Sequence, residues 1–491
     1  MKLLIRFILL QIMIYNLVNA DPIRLNPDNG HYFLFRGKPI ILITSGEHYG
    51  SVINLDFNYI KYLNTLYSSG LNYTRILTGS YVESTKSFGI EKNTLAPGKE
   101  RVIVPWARSN VPGYINGGNK FDLDKWDPDY FKRLKDFVFQ AGKHEIIVEV
   151  TLFSSIYTDN GWAYSPLNLS NNINHVSPLD WENVHTLNNG ELIKYQENLV
   201  RKIVRELNEY DNVFYEIQNE PWSDQTVIAN ILNPYDKDSY KSWFKRSDLA
   251  SEESLEWQKT IASFIKDEET KLKYQHLIAQ NYCNFHYPVK EKDISPYVSI
   301  LNFHYAWPEA VILNYGWDIV ISFDESGFAG KEDKTYRKQA WNFILSGGGV
   351  FNHLDYSFAV GHEDGTFENY TSSPGGGSIN LRSQIKVLKD FICSFDFIRL
   401  KPNNLVIKKA PGVFTRAMIE VSKQYAIYVD GGNQCKLELE LPKGKYKVDW
   451  INTKNGNIEK TEIFSPVDNY IILTSPIYID DIALRIIRSQ N

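Results

Sequence analysis

Two glutamates at the ends of apolar runs are the residues of this chain best placed to do chemistry. Val213-Phe214-Tyr215-Glu216-Ile217-Gln218-Asn219-Glu220-Pro221-Trp222 follows a helix-ending Asp211-Asn212 and carries Asn219 and Glu220 to a strand tip, where proline ends the pairing. About a hundred residues later, Asp318-Ile319-Val320-Ile321-Ser322-Phe323-Asp324-Glu325-Ser326-Gly327 repeats the arrangement, ending in Glu325. Cleaving a glycosidic bond passes through an oxocarbenium-like state. One carboxyl must protonate the leaving oxygen while another attacks or stabilises the anomeric carbon. The two need different protonation states. Asn219 and Trp222 beside Glu220 are expected to desolvate it and raise its pKa, as a general acid requires, and Glu325 is then the ionised partner. Arg75, within the otherwise apolar Asn72-Tyr73-Thr74-Arg75-Ile76-Leu77, would be costly unpaired. Its expected partners are Glu325, Glu216 or both. His304 stands at another strand end. Strand alternation turns Asp324 away from Glu325, so Asp324 is not chosen as nucleophile.

Strands with long helical connections must hold these residues. Apolar runs at residues 40–44, 71–77, 146–153, 213–220, 276–283, 298–305, 319–325 and 348–356 alternate with amphipathic segments at 57–67, 129–140, 193–207, 255–272 and 336–345. Little room is left for a helix between Pro288 and Pro296. Eight such strands predict an α/β fold, a (β/α)8 barrel; an open doubly wound sheet has similar periodicity. No Gly-x-Gly-x-x-Gly turn follows an early strand, which argues against dinucleotide binding. From Lys401 the pattern changes to short alternating strands with turns at Gly431-Gly432, Lys443-Gly444 and Asn455-Gly456, a small antiparallel β-sandwich. The expected organisation is a signal peptide over 1–20, a catalytic barrel with an N-terminal hairpin over 21–400, and the sandwich over 401–491.

Composition narrows the function further. The chain has 491 residues, 43% hydrophobic and 23% charged, a formal charge of -5 and no basic run, so nucleic acid is not an expected partner. Lys2 and Arg6, an apolar stretch to Val18 and the small residues before Asp21 predict export to the periplasm or outside the cell, with no membrane span in the mature chain. Three cysteines allow one disulfide at most. His-x-His spacing is missing from the early strands, so neither a metal nor another cofactor is expected.

The segment from Val213 to Pro221 resembles the signature of family 5 glycoside hydrolases, the cellulase-like enzymes, and more broadly of clan A. The resemblance covers the barrel. It implies a retaining double displacement on a β-linked poly- or oligosaccharide, with Glu220 as acid/base, Asn219 on the sugar 2-hydroxyl and Glu325 as nucleophile at the seventh strand. Arg75 matches the second-strand arginine of the clan. Phe303-His304-Tyr305-Ala306 departs from the family's His-x-Tyr, with the tyrosine one position early. The eighth strand lacks the usual tryptophan, a role expected of Tyr356 or Trp307. Trp222 is also atypical, which marks a divergent member.

Aromatics crowd the loops after the second, third and fourth strands: Tyr81, Trp106, Tyr114, Trp126, Tyr157, Trp162, Tyr164, Trp181, Tyr235, Tyr240 and Trp243. Flat rings pack on the C–H faces of sugars, although rings also form cores inside long loops. Glu47 and His48, after the first strand, are candidates for binding sugar hydroxyls or for capping the next helix. Two alternatives to a retaining hydrolase stay open, a non-catalytic glycan-binding protein on a degenerate barrel and an inverting hydrolase. The sugar, the linkage and the oligomeric state are not encoded in these motifs.

Overall fold

The computed structural model describes residues 21–174, 176–368, 371–466 and 468–489; the expected signal peptide, residues 1–20, lies outside them. The centre of the fold is a parallel sheet of eight strands: β1 (Leu42–Gly46), β2 (Tyr73–Leu77), β3 (Ile147–Ser154), β4 (Val213–Asn219), β5 (Ile278–Asn284), β6 (Ile300–His304), β7 (Val320–Ser326) and β8 (Val350–Leu354). Ladders run from β2 through β3, β4, β5, β6, β7 and β8 to β1. The Asn72 side chain spans the remaining seam, accepting from Ile43 N (3.0 Å) and donating to Ile41 O (2.9 Å). The sheet thus curls into a nearly closed (β/α)8 barrel.

Helices α1 (Tyr59–Ser68), α2 (Pro128–Lys143), α3 (Leu192–Leu207), α4 (Glu252–Glu269), α5 (Pro308–Asn314), α6 (Asp333–Ile344) and α7 (Ile379–Cys393) follow the strands on the outside. Their starts are legible in local chemistry: Asn58, Asp127, Ser251 and Ser378 each accept a backbone N–H of the first turn. Helix α3 buries Tyr195, Leu199, Ile203 and Leu207, a stripe of helical period. Between β5 and β6 the chain makes only a 3-10 turn at Glu291–Asp293, as the prolines there led one to expect.

The barrel interior is layered. At the N-terminal end Leu42, Tyr73, Ile147, Phe214, Ala279, Ile300, Val320 and Val350 pack with Ile23, Phe33 and Phe35. Phe33 and Phe35 come from a three-stranded sheet (Arg24–Asn26, Asn29–Phe35, Lys38–Ile40), one strand more than a hairpin, which plugs that end, and Ile23 immediately precedes its first strand. One pleat higher the lining becomes polar, and the C-terminal tips carry the site.

Beyond Lys401 a six-stranded and a three-stranded antiparallel sheet face each other, the β-sandwich read from the turns. The strand Ile458–Phe464 was not foreseen. It is an edge strand exposed along most of its length, so no apolar alternation marks it. The larger sheet lies on the barrel, with Tyr428 stacked on Trp341 of α6 (5.3 Å). Trp450 is fully buried, which suits a brace better than a glycan platform. The three cysteines are unpaired, and no helix of the described residues is long and apolar enough to cross a membrane.

Buried Arg337 of α6 holds the sandwich by donating to Asp481 Oδ1 (2.6 Å) and Oδ2 (3.1 Å) and to Gln384 Oε1 (2.7 Å). Removing one partner of a buried pair strands the other charge, at a cost of about 3–5 kcal/mol. Arg337→Ala is therefore expected to lower stability by that amount in urea titration. A loss no larger than that of an exposed-site variant contradicts the assignment.

Candidate active site

Glu220 and Glu325 stand on opposite sides of the barrel mouth, above a polar interior that holds both in place. Arg75, fully buried, is the hub. It donates to Glu216 through Nε (3.0 Å) and Nη2, to Asn219 Oδ1 through Nη2 (2.7 Å) and to Glu325 Oε2 through Nη1 (3.4 Å), and its Nε lies 3.4 Å from Asp324 Oδ2. Both expected partners are present on one guanidinium. Below it Glu149 accepts from Tyr73 and from Asn302 (2.7 Å). Burial and the neighbouring Glu216 and Asp324 charges push the Glu149 carboxyl well above its usual range.

Glu325 reaches the mouth through a register shift. Between β7 and β8 the pairing steps from Phe323↔Phe351 to Ser326↔His353, two residues against one. The bulge lets Asp324 point into the interior while Glu325 also faces the cavity. Glu325 Oε2 accepts from Tyr49 (2.8 Å) and Oε1 from Tyr305 (2.8 Å).

Glu220 is set by backbone conformation. Its φ of 47° lies in the left-handed region, fixed by Ser155 Oγ donating to its carbonyl (2.6 Å) and by its N–H donating to Asn281 Oδ1 (3.1 Å). Its carboxylate accepts from Tyr157 (2.9 Å) and Tyr305 (3.0 Å) and meets His304 Nδ1 at 2.9 Å. Tyr305 therefore links both glutamates, and since a hydroxyl has one proton it donates to one at a time. One oxygen of each glutamate and a His304 ring nitrogen all lie within 4.8 Å of one another.

The expectation of a raised Glu220 pKa is overturned. Burial does push it up, but the hydrogen bond and charge of His304, together with Tyr157 and Tyr305, pull the carboxyl below its usual value. His304 is shifted the other way. Burial alone would lower it, yet the charges of Glu325 and Asp324 and the hydrogen bonds to Asp324 and Glu220 raise it well above 6.5. Both shifts favour the ion pair of a charged imidazole with the Glu220 carboxylate.

The cavity is about 570 Å³, within the usual range for ligand sites. Asn219, Trp222, Tyr305 and His48 line it, as do Tyr81, Tyr157 and Trp243 among the loop aromatics. Trp222 sets its ring edge-on to His304 at 5.5 Å. His48 meets Glu83 at 3.4 Å. Three expected contacts fail. Glu47 is turned into its own loop, where it accepts from Gly50 N (3.1 Å) and Ser51 N (3.0 Å), closer to the capping reading. Trp307 is 42% exposed and packs on Phe285 and His286 outside the cavity. Tyr356 is buried behind the lining. Residues not anticipated are Tyr49, Glu83, Phe88, Phe244, Arg246, Asp248 and Phe328. Tyr49 sits in Gly46-Glu47-His48-Tyr49, but nothing in sequence signals its left-handed turn toward Glu325.

Because the folded His304 pKa lies above the ordinary 6.5, its charge contributes full stability below pH 6.5, and this is lost as pH rises through the folded value. The gap in Tm between the wild type and His304→Gln should be widest below pH 6.5 and narrow in alkaline buffer. A gap that grows with pH contradicts the protonated imidazole.

No protein-family model and no curated protein matches the sequence. Solved structures do. A candidate glycoside hydrolase from Bacteroides vulgatus ATCC 8482 is 14% identical with a TM-score of 0.64, over 96% of this chain and 83% of that one. A family 5 glycoside hydrolase from the same organism is 12% identical with a TM-score of 0.62, over 96% and 94%. A third structure, named as a glycoside hydrolase, is 12% identical with a TM-score of 0.61, over 96% and 98%. At these identities the likeness is one of fold, and it extends over 96% of this chain in each case.

Proposed function

We propose that the protein is a retaining glycoside hydrolase acting on β-linked oligo- or polysaccharide, with Glu325 as nucleophile and Glu220 as acid/base. The observation that carries this reading is the approach of the two carboxylates to within 4.8 Å, with the Tyr305 hydroxyl between them. Retaining enzymes hold the pair about 5–5.5 Å apart, whereas inverting ones need about 6.5–9.5 Å to admit a water. A glycan-binding protein without catalysis would have no use for the full set of Arg75, Asn219, Glu220, His304 and Glu325.

The chemistry follows from the proton positions. Glu325, held in place by Arg75, Tyr49 and Tyr305, bonds to the anomeric carbon as the glycosidic C–O bond breaks. The leaving oxygen takes a proton from Glu220, which has drawn it from His304 Nδ1 across 2.9 Å as the sugar displaces solvent. Glu220, again ionised, removes a proton from water, whose oxygen attacks the anomeric carbon and releases Glu325, and that proton then passes back to His304 Nδ1. Asn219, fixed by Arg75 and donating to Tyr157 Oη (2.7 Å), is aimed at the sugar 2-hydroxyl. Export under the residue 1–20 signal, and a division into a barrel over 21–400 and a sandwich over 401–491, complete the proposal.

A 2-deoxy-2-fluoro glycosyl fluoride series should trap a covalent adduct on the peptide bearing Glu325, and Glu325→Gln should abolish it. Glu220→Gln is expected to lose about 10²–10⁴-fold in turnover of substrates with poor leaving groups, and much less with nitrophenyl leaving groups. Absence of any adduct across gluco, manno, galacto and xylo reagents counts against catalysis by this site.

A further inference from the structure

We propose that the cavity is a pocket for chain ends, so that the protein removes terminal units instead of cutting within a glycan; this rests on the glycosidase reading above. The argument is the rim. Each loop that lines the cavity is tied to the next, and the ties close a ring around the mouth.

The β8 loop meets the β2 loop across the tip of β1. Ser372 Oγ donates to Glu91 Oε1 (2.9 Å) or, alternatively, to Gly89 O (3.0 Å), Thr371 Oγ1 donates to Glu91 Oε1 (3.2 Å), and Glu91 N–H donates to Ser373 Oγ (3.1 Å). Phe88 and Pro374, flanking this bridge, face the cavity, so the bridge is its wall. The β2 loop is joined to the β3 loop by Asn160 Nδ2 donating to Ser84 Oγ (2.8 Å) and by Phe88 edge-on to Tyr157 (5.0 Å). The β3 loop is joined to the β4 loop by Asp224 Oδ1, which accepts from Ile156 N (2.6 Å).

The β4 loop carries a hairpin, Thr226–Ile231 with Arg246–Ala250, whose tip returns Trp243 over the cavity. Trp243 packs on Tyr305 (4.9 Å) and edge-on to Phe328 of the β7 loop (6.0 Å), closing the side above β5 and β6. Lys331 Nζ then donates to Thr371 O (2.7 Å), returning the ring to the β8 loop.

A polymer bound in mid-chain needs two exits across the rim, one on each side of the scissile bond. The ring leaves entry from above, where one chain end descends onto Glu220 and Glu325. The cavity volume of about 570 Å³ suits a short stretch of glycan, with Trp243 in place to stack on a ring.

The test uses cello-, manno- and xylohexaose labelled at the reducing end, with products separated at early times. A ladder that shortens stepwise from one end is expected. First products split near the middle of the hexaose would overturn the proposal. Glu91→Ala combined with Ser372→Ala removes the side-chain hydrogen bonds of the bridge, leaving that of Glu91 N–H to Ser373 Oγ, without touching the cavity lining. It should add mid-chain products and raise the rate on longer chains several-fold over that on nitrophenyl glycosides. An unchanged nitrophenyl rate shows that the double variant is folded, and a product pattern identical to wild type contradicts the bridge as the barrier. Failure of catalysis reads differently, because it leaves Glu325 unlabelled by the fluoroglycosides.

Discussion

A guanidinium buried at the centre of a barrel is the constraint on which this structure turns. Arg75 cannot shed its proton and cannot reach water, so the carboxylates around it are what make its position tolerable. Glu216 supplies the shortest contacts, Asp324 and Glu325 complete the surround, and Asn219 takes the remaining fork. The effect runs in both directions. The same guanidinium that needs Glu216 also donates to Glu325 Oε2 and so fixes that carboxylate at the mouth. Most barrels fill this layer with branched apolar side chains. Here a polar layer replaces them, and the stability it forgoes is recovered from the apolar plug below and the helices outside.

Backbone strain is concentrated where the charges are used. Tyr49, Tyr157, Glu220 and Tyr305 all have positive φ, and all four line the cavity from the tips of different strands. Each such non-glycine conformation costs on the order of 1–3 kcal/mol and persists only where neighbours hold it. In return the chain, on leaving a strand, turns a side chain inward that alternation would send outward. Tyr305 shows the point. By alternation its position beside His304 is one residue out of place, yet its φ of 52° swings the hydroxyl between Glu220 and Glu325.

This explains which parts were legible in sequence. Barrel strands are apolar runs of five to eight residues whose burial follows from composition alone, so their positions could be read to within about two residues. Glu220, Glu325, Arg75 and His304 could be read because each sits in such a run or at its tip. Three readings failed for a common reason. Glu47 and Trp307, and with them Tyr356, lie just past strand ends, where loop dihedrals decide which way a side chain faces and no periodicity applies. The direction of the Glu220 pKa failed for another reason. Trp222 suggested desolvation, but the outcome depends on a histidine 84 positions away and its own two carboxylate neighbours.

The central claim is that Glu325 and Glu220 act as nucleophile and acid/base, with one oxygen of each within 4.8 Å of the other. The stereochemistry of the first product tests it directly. Proton NMR of a β-glycoside digest, recorded before mutarotation, is predicted to show the β-anomer of the released sugar appearing first. Initial appearance of the α-anomer would contradict the account.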